Sequence, residues 1–148
     1  MSNRILTIMT IKLNIVCSQF KFAQLSSYLI MNKILVIDDE YQNREMLSDF
    51  LELKNFKVIT ANNGLEGLQA FQKSKVDAAI IDIKMPVMNG IDCAAGIRKI
   101  KPTFPIIMIT GHVDNEYQNT IKKIGIKHLL IKPLNINEIE KILLSFFQ

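Results

Sequence analysis

The feature that most constrains the fold of this chain is a regular alternation of short apolar runs with longer amphipathic stretches, beginning at residue 32. Five runs rich in Ile, Val and Leu have the length and composition of buried strands. They lie at residues 33–38, 56–61, 77–82, 105–110 and 127–131. Strands that are apolar throughout, each followed by a helix, indicate a parallel sheet covered on both faces. The predicted fold class is therefore α/β, a doubly wound five-stranded parallel sheet.

The stretches between these runs carry apolar residues at helical spacing, so a helix is predicted after each strand. The predicted helices lie at residues 41–54, 63–74, 91–100 and 115–123, with a last amphipathic helix after Pro133. Apolar faces are predicted for three of them, formed by Leu47, Phe50 and Leu51, by Leu65, Leu68 and Phe71, and by Ile136, Ile139, Leu143 and Phe146.

Length and charge favour one folded domain without a nucleic-acid partner. A chain of 148 residues with 49% hydrophobic content can bury one core and is short for two full domains. The formal net charge is +4, but Arg4, Lys12 and Lys21 all precede the first acidic residue, Asp38. Residues 32–148 therefore carry only +1, and this balance gives no support to nucleic-acid binding.

The cysteines indicate the compartment rather than a site. Cys17 and Cys93 lie far apart in the sequence and lack the spacing of metal ligands. This usage fits a reducing environment, so a cytoplasmic location is predicted.

Residues 1–31 differ from the rest because they are apolar, free of acids and without a clear period. Lys12 and Lys21 interrupt the apolar run, which argues against a membrane-spanning helix, and no convincing cleavage site supports a secretory signal. An organellar transit peptide is a third interpretation, although arginine is scarce. The hypothesis that we favour is that Met31 is the natural start and that the preceding N-terminal extension is either untranslated or disordered.

Polar residues stand at the ends of four predicted strands. Asp38 and Asp39 end the first, Asp82 the third and Thr110 the fourth, and Lys132 follows the fifth. Because the carboxyl ends of parallel strands meet at one sheet edge, where ligands of such folds bind, these side chains are expected to converge there. Clustered carboxylates call for a cation, and Mg²⁺ typically takes one or two carboxylates together with water and phosphate oxygen.

Four fragments stand in a characteristic order and spacing: VIDDE at residues 36–40, DIKMPVMNG at 82–90, MITG at 108–111 and IKP at 131–133. With them, residues 32–148 resemble the receiver domain of two-component response regulators. The resemblance implies the flavodoxin-like strand order 2-1-3-4-5, which brings the first and third strands together. It also implies a signalling phosphoprotein, with self-phosphorylation and self-dephosphorylation as its only chemistry, rather than an enzyme.

The resemblance implies a role for each residue at the sheet edge. Asp39 and Asp82 would ligate Mg²⁺ directly, Asp38 would hold a metal-bound water, and the backbone carbonyl of Lys84 would complete the protein ligands. Asp82 would also be the phosphoacceptor, whose carboxylate takes a phosphoryl group to give an aspartyl phosphate. Glu40 is expected to begin the first helix rather than to bind metal.

Further positions concern stabilisation of the phosphoryl group and the response to it. Lys132 and Thr110 would contact the phosphoryl oxygens, and Pro133 would follow a rigid, often cis, peptide bond. Leu129 stands where receivers usually carry an aromatic residue that moves with the threonine, so this sequence departs from the family at its switch. By position, Lys84 and His112 would tune dephosphorylation.

The resemblance also implies partners. A histidine kinase or histidine phosphotransfer protein would meet the first helix near Gln42 and Leu47, and a downstream protein would meet the face between the fourth and fifth helices. A stand-alone receiver, monomeric or dimerising on phosphorylation, is expected. The alternatives left open are a phosphorylation-independent binding module and a Mg²⁺-dependent aspartyl-phosphate phosphotransferase. A nucleotide or flavin module is disfavoured because no glycine-rich loop follows the first strand.

Overall fold

The computed structural model of the protein describes residues 31–112 and 115–148, in which strands and helices alternate. The strands are β1 (Lys33–Ile37), β2 (Lys57–Ala61), β3 (Ala78–Asp82), β4 (Ile106–Thr110) and β5 (His128–Ile131). The helices are α1 (Tyr41–Leu53), α2 (Gly64–Lys73), α3 (Gly90–Ile100), α4 (Asn115–Lys123) and α5 (Ile136–Phe146). The compact unit that contains all of them runs from Asn32 to Gln148.

The five strands form one parallel sheet in the order β2-β1-β3-β4-β5. Ile37 pairs with Ile81 and Asp82 with Ile109, so each of the three central strands ends within one residue of its neighbour. This confirms the predicted fold class and strand order. It also places the residues that follow β1, β3 and β4 beside one another at the carboxyl edge of the sheet.

The core has two layers because alternate residues of a strand point to opposite faces. Leu35 and Ile37 pack with α2, α3 and α4 on one face, whereas Ile34 and Val36 pack with α1 and α5 on the other. All four side chains are at most 1% exposed. The apolar character of every β1 residue from Ile34 onward thus follows from cover on both sides of the sheet.

Most predicted element bounds agree with the structure to within one residue. In the predicted apolar faces, Leu68 and Phe71 of α2 pack against the core as expected, but Leu65 and Ile136 are exposed, Ile136 to 36%. Leu65 was expected in the core and is 42% exposed. The buried residues of α2 are Gly64 and Gly67. A Cβ atom at Gly67 would lie 2.2 Å from Cδ1 of Ile37, so α2 packs against β1 through a glycine rather than through Leu65.

The start of α3 fixes the loop after β3. Asn89 caps the helix by accepting a hydrogen bond from the backbone N–H of Asp92, at 2.9 Å. Gly90 donates its backbone N–H to the carbonyl of Ile83, also at 2.9 Å. A Cβ atom at Gly90 would lie 1.9 Å from the Asp82 carbonyl oxygen, so the helix approaches the strand end more closely than any other residue would allow.

The interpretation of residues 1–31 concerns a part of the chain that, apart from Met31, lies outside the described residues. Among the helices that are described, none has the length and apolar content needed to cross a bilayer.

Candidate functional site

The carboxylate of Asp82 is the centre of the candidate site. It stands at the end of β3 and is only 5% exposed. Its Oδ1 lies 2.8 Å from Nζ of Lys132, and its Oδ2 accepts a 2.8 Å hydrogen bond from the backbone N–H of Lys84. The predicted acceptor and the predicted lysine are therefore in direct contact.

Asp38 is the second buried carboxylate, with 2% of its surface exposed. Its Oδ2 lies 3.1 Å from the same Lys132 ammonium. Its Oδ1 accepts a 2.8 Å hydrogen bond from the backbone N–H of Glu40. The Lys132 ammonium is thus shared by carboxylates at the ends of β1 and β3, which are adjacent strands.

Two residues near the start of α1 contact Asp38. Asn43 donates its side-chain N–H to Oδ2 of Asp38 at 3.1 Å, and Arg44 donates to the Asp38 carbonyl at 2.7 Å. Neither residue was among the predicted site residues. The only signal in the sequence was their spacing of five and six residues from Asp38, which places them in the first turn of a helix that begins beside the site.

Burial and neighbouring charges shift the pKa values of this group. Burial raises the pKa of the Asp82 carboxyl; the hydrogen bond and charge of Lys132 oppose that rise without cancelling it, and the charge of Asp38 adds to it. Burial alone would lower the pKa of Lys132, but hydrogen bonds and charge attraction from Asp82 and Asp38 outweigh it and raise this pKa. The ammonium is therefore the compensating charge of the site.

The three consecutive carboxylates have different surroundings. Asp38 points into the molecule, whereas Asp39 and Glu40 are exposed. Glu40 caps α1 through its backbone position, as expected, without a side-chain capping bond, and its Oε1 lies 3.6 Å from Lys132 Nζ. Asp39 makes no hydrogen bond or ion pair with the residues that the structure describes, so its carboxylate is accessible at the rim of the site.

Thr110 and the residues that follow it line the candidate site at the end of β4. The Thr110 hydroxyl is buried, donates to the carbonyl of His112 at 2.7 Å and accepts from its backbone N–H at 3.2 Å. The His112 residue itself is exposed. Leu129 is half-buried in β5 and packs against the core layer that holds α3 and α4.

The loop after β5 carries the lysine. Lys132 donates its backbone N–H to the Thr110 carbonyl at 2.8 Å, and the peptide bond to Pro133 is cis. The loop after β3 contains Val87, which is 80% exposed and has a positive φ of 70°. Lys84 is exposed in the same loop, beside the acceptor.

The donor set fits a hard divalent cation. Asp38 and Asp82 both reach one ammonium, so their oxygen atoms lie close enough together to share a positive ion. Within residues 31–112 and 115–148, no three His, Cys, Asp or Glu side chains form a preformed metal cluster. Two carboxylates without a full protein cage match Mg²⁺, which keeps several waters and takes phosphate oxygens as ligands.

Comparison with known proteins identifies the family. The model of the response regulator receiver domain matches residues 34–144. A homolog of the transcriptional regulatory protein CpxR from Haemophilus influenzae is 38% identical over 109 residues, which is 74% of this chain and 47% of that protein. The chain belongs to the response regulator receiver domain family and carries the receiver domain of two-component signalling. It spans about half the length, or less, of the curated relatives that it matches.

Solved structures agree with this assignment. The Vibrio cholerae chemotaxis protein CheY4 has a TM-score of 0.74 and 33% identity, covering 79% of this chain and 99% of that one. Borrelia burgdorferi CheY, solved in a complex with CheX, BeF3 and Mg, has a TM-score of 0.73 and 25% identity, covering 79% of this chain and 90% of that one. The signalling fold is therefore shared over the whole sheet.

Proposed function

We propose that the protein is a phosphoacceptor response regulator, in which Asp82 receives a phosphoryl group from a histidine kinase or a histidine phosphotransfer protein. The observation that carries this proposal is the contact of 2.8 Å between Asp82 Oδ1 and Lys132 Nζ, with Asp38 on the same ammonium. The buried carboxylate is oriented by that contact and by the Lys84 backbone N–H.

The transfer is a displacement at phosphorus. An Asp82 carboxylate oxygen forms the new bond to phosphorus as the bond between phosphorus and the donor histidine nitrogen breaks, and that nitrogen keeps the electron pair. Phosphoryl transfer depends mainly on positioning and charge neutralisation, so Lys132 would follow the phosphoryl oxygens while Asp38 stays in place. Thr110 would exchange its bond to the His112 carbonyl for a bond to the phosphoryl group.

The site would hold Mg²⁺ through Asp38, Asp39, Asp82 and the carbonyl of Lys84. The bound ion would neutralise the negative charge of the carboxylates and of the incoming phosphoryl group. The paired carboxylates and the exposed Asp39 support this assignment.

The response to phosphorylation would pass from Thr110 to Leu129. Movement of the threonine hydroxyl towards the phosphoryl group would leave space in which the half-buried leucine repacks. Methyl NMR spectra with and without BeF3⁻ and Mg²⁺ test this step. Shifts at Leu129 are expected, and their absence would mean that this face does not switch.

Two exposed residues would set the lifetime of the phosphoryl group. Lys84 stands two residues after the acceptor and His112 two residues after the threonine, so both flank the expected path of the hydrolytic water. Replacing each by alanine should change the dephosphorylation rate. Unchanged rates in both variants would remove them from this role.

The partners follow from the same function. The kinase or phosphotransfer protein would dock near α1, and a downstream protein would recognise the phosphorylated form, which is a monomer or a phosphorylation-dependent dimer in the cytoplasm. The chemistry of the protein would be limited to its own phosphorylation and dephosphorylation.

The test is phosphorylation of the full chain with acetyl phosphate and Mg²⁺, followed by intact mass measurement. A gain of about 80 Da, one phosphoryl group, is expected for the wild type and none for Asp82→Asn. A gain that persists in Asp82→Asn would move the acceptor to another residue. No gain with acetyl phosphate, phosphoramidate or a kinase donor would favour the phosphorylation-independent binding module.

A further inference from the structure

Three hydrogen-bond donors orient the carboxylate of Asp38. Its Oδ1 is bonded to the Glu40 N–H, and its Oδ2 is shared by Lys132 and the side chain of Asn43, each at 3.1 Å. Arg44 fixes the backbone of the same residue through its carbonyl. The carboxylate direction is therefore set from α1 as well as from β5.

We propose that Asn43 is a positioning residue that orients the Asp38 carboxylate for the divalent cation. The inference rests on the proposed function, because that function supplies the cation. It adds a side chain of α1 to a site that otherwise consists of strand ends and the loops that follow them.

The need for Asn43 arises from the competing contacts of Lys132. This ammonium lies 2.8 Å from Asp82, 3.1 Å from Asp38 and 3.6 Å from Glu40, so Asp38 shares it with two other carboxylates. When Lys132 follows a phosphoryl group on Asp82, Oδ2 of Asp38 loses this donor. A buried polar atom without a partner is costly, and the Asn43 amide keeps Oδ2 bonded and in the same direction.

The Asn43 amide suits this role because it is neutral. A donor without charge fixes the carboxylate and leaves its negative charge available to the metal. Hydrogen-bond partners that orient metal ligands typically change metal affinity by 10- to 100-fold when they are removed. An effect of this size is expected here.

The experiment is titration of the full chain with Mg²⁺ alone by isothermal calorimetry, with urea unfolding as the check on folding. Asn43→Ala should bind Mg²⁺ about 10 to 100 times more weakly than the wild type. Asn43→Leu keeps the size of the side chain, removes the donor and should give the same loss. Gln69→Ala, an exposed amide of α2, is the matched control and should bind as the wild type does.

A second background separates a direct effect on Asp38 from an effect through the lysine. In Lys132→Met the competing ammonium is gone, and Asn43→Ala should still weaken Mg²⁺ binding by at least 10-fold. Disappearance of the loss in this background would overturn the inference, as would wild-type affinity in both Asn43 variants. The two failures are distinguishable: a wild type that binds no Mg²⁺ would contradict the proposed function as well, whereas a wild type that binds Mg²⁺ no more tightly than both Asn43 variants would overturn this inference alone.

Discussion

The ammonium of Lys132 lies 2.8 Å from Oδ1 of Asp82 and so connects the end of β5 to the end of β3 across the intervening strand β4. The two residues are fifty positions apart in the sequence. Because Asp38 joins the same ammonium, the ion pair also reaches β1, and three strand ends depend on one side chain.

Removal of this ammonium should destabilise the fold. Lys132→Met leaves Asp38 and Asp82 buried without their shared counter-charge, and the free energy of unfolding at pH 7 should fall by about 3 kcal/mol. Urea unfolding followed by circular dichroism measures the loss. Lys54→Met is the matched control because its ion pair with Glu140 is more exposed, and it should cost less than about 1 kcal/mol. Equal losses in the two variants would contradict this prediction.

Gly90→Ala should destabilise the protein strongly. Its Cβ would lie 1.9 Å from the Asp82 carbonyl oxygen, a backbone atom that cannot move without displacing α3 from β3. A loss of about 2 to 3 kcal/mol in the free energy of unfolding is expected. Gly111→Ala is the contrasting variant, because nothing lies within 4 Å of the added atom, and its thermal midpoint should stay close to that of the wild type.

Val87→Asn should stabilise the protein. Val87 is 80% exposed and holds a positive φ of 70°, which is unfavourable for a β-branched residue and is not offset by burial. Asparagine tolerates this conformation, so the free energy of unfolding should rise by about 1 kcal/mol. The reciprocal change, Asn55→Val at a φ of 63°, should lower it by a similar amount in the same urea titration.

Cys93 should not react with thiol reagents in the folded protein. The residue is fully buried in α3, and burial raises the pKa of its thiol to about 12. In a Cys17→Ser variant of the full chain, labelling with dithionitrobenzoate at pH 8 should require urea. Rapid labelling without urea would show that α3 opens in the native state.

The same pKa predicts a dependence of stability on pH. Because the folded pKa lies above the ordinary value of 9.0, the protonated thiol contributes stability that is present below pH 9 and is lost as the pH rises towards about 12. Cys93→Ala removes this contribution, so its free energy of unfolding should fall less steeply than that of the Cys17→Ser parent between pH 9 and pH 11.

The positions of the strand-end residues could be predicted because the sheet edge is set by local composition. Asp38, Asp82 and Lys132 each follow an apolar run, and parallel strands bring such ends together. The direction of each side chain could not be predicted in the same way. Asp38 is buried and Asp39 is exposed although both follow β1, and which of them is buried depends on the path of the chain between the end of β1 and the start of α1.

Contacts that depend on helix placement were also beyond the sequence pattern. Leu65 has helical spacing with Leu68, but the close approach of Gly67 to Ile37 sets the rotation of α2 and leaves Leu65 exposed. Asn43 reaches Asp38 only because α1 begins two residues after Asp39. Periodicity identifies an apolar face, whereas glycine contacts and caps decide how the face is turned.

All the strand-end groups of the site lie at one edge of the sheet. The opposite edge is therefore the place where a sequence can be inserted away from the site. The turns at the opposite edge, such as residues 74–77 and 124–127, join helices to strands and contain none of the acceptor-site residues. A reporter sequence inserted there would be separated from Asp82 by the length of β3 or β5. Such an insertion is expected to alter folding cooperativity while leaving the geometry of the carboxylates intact.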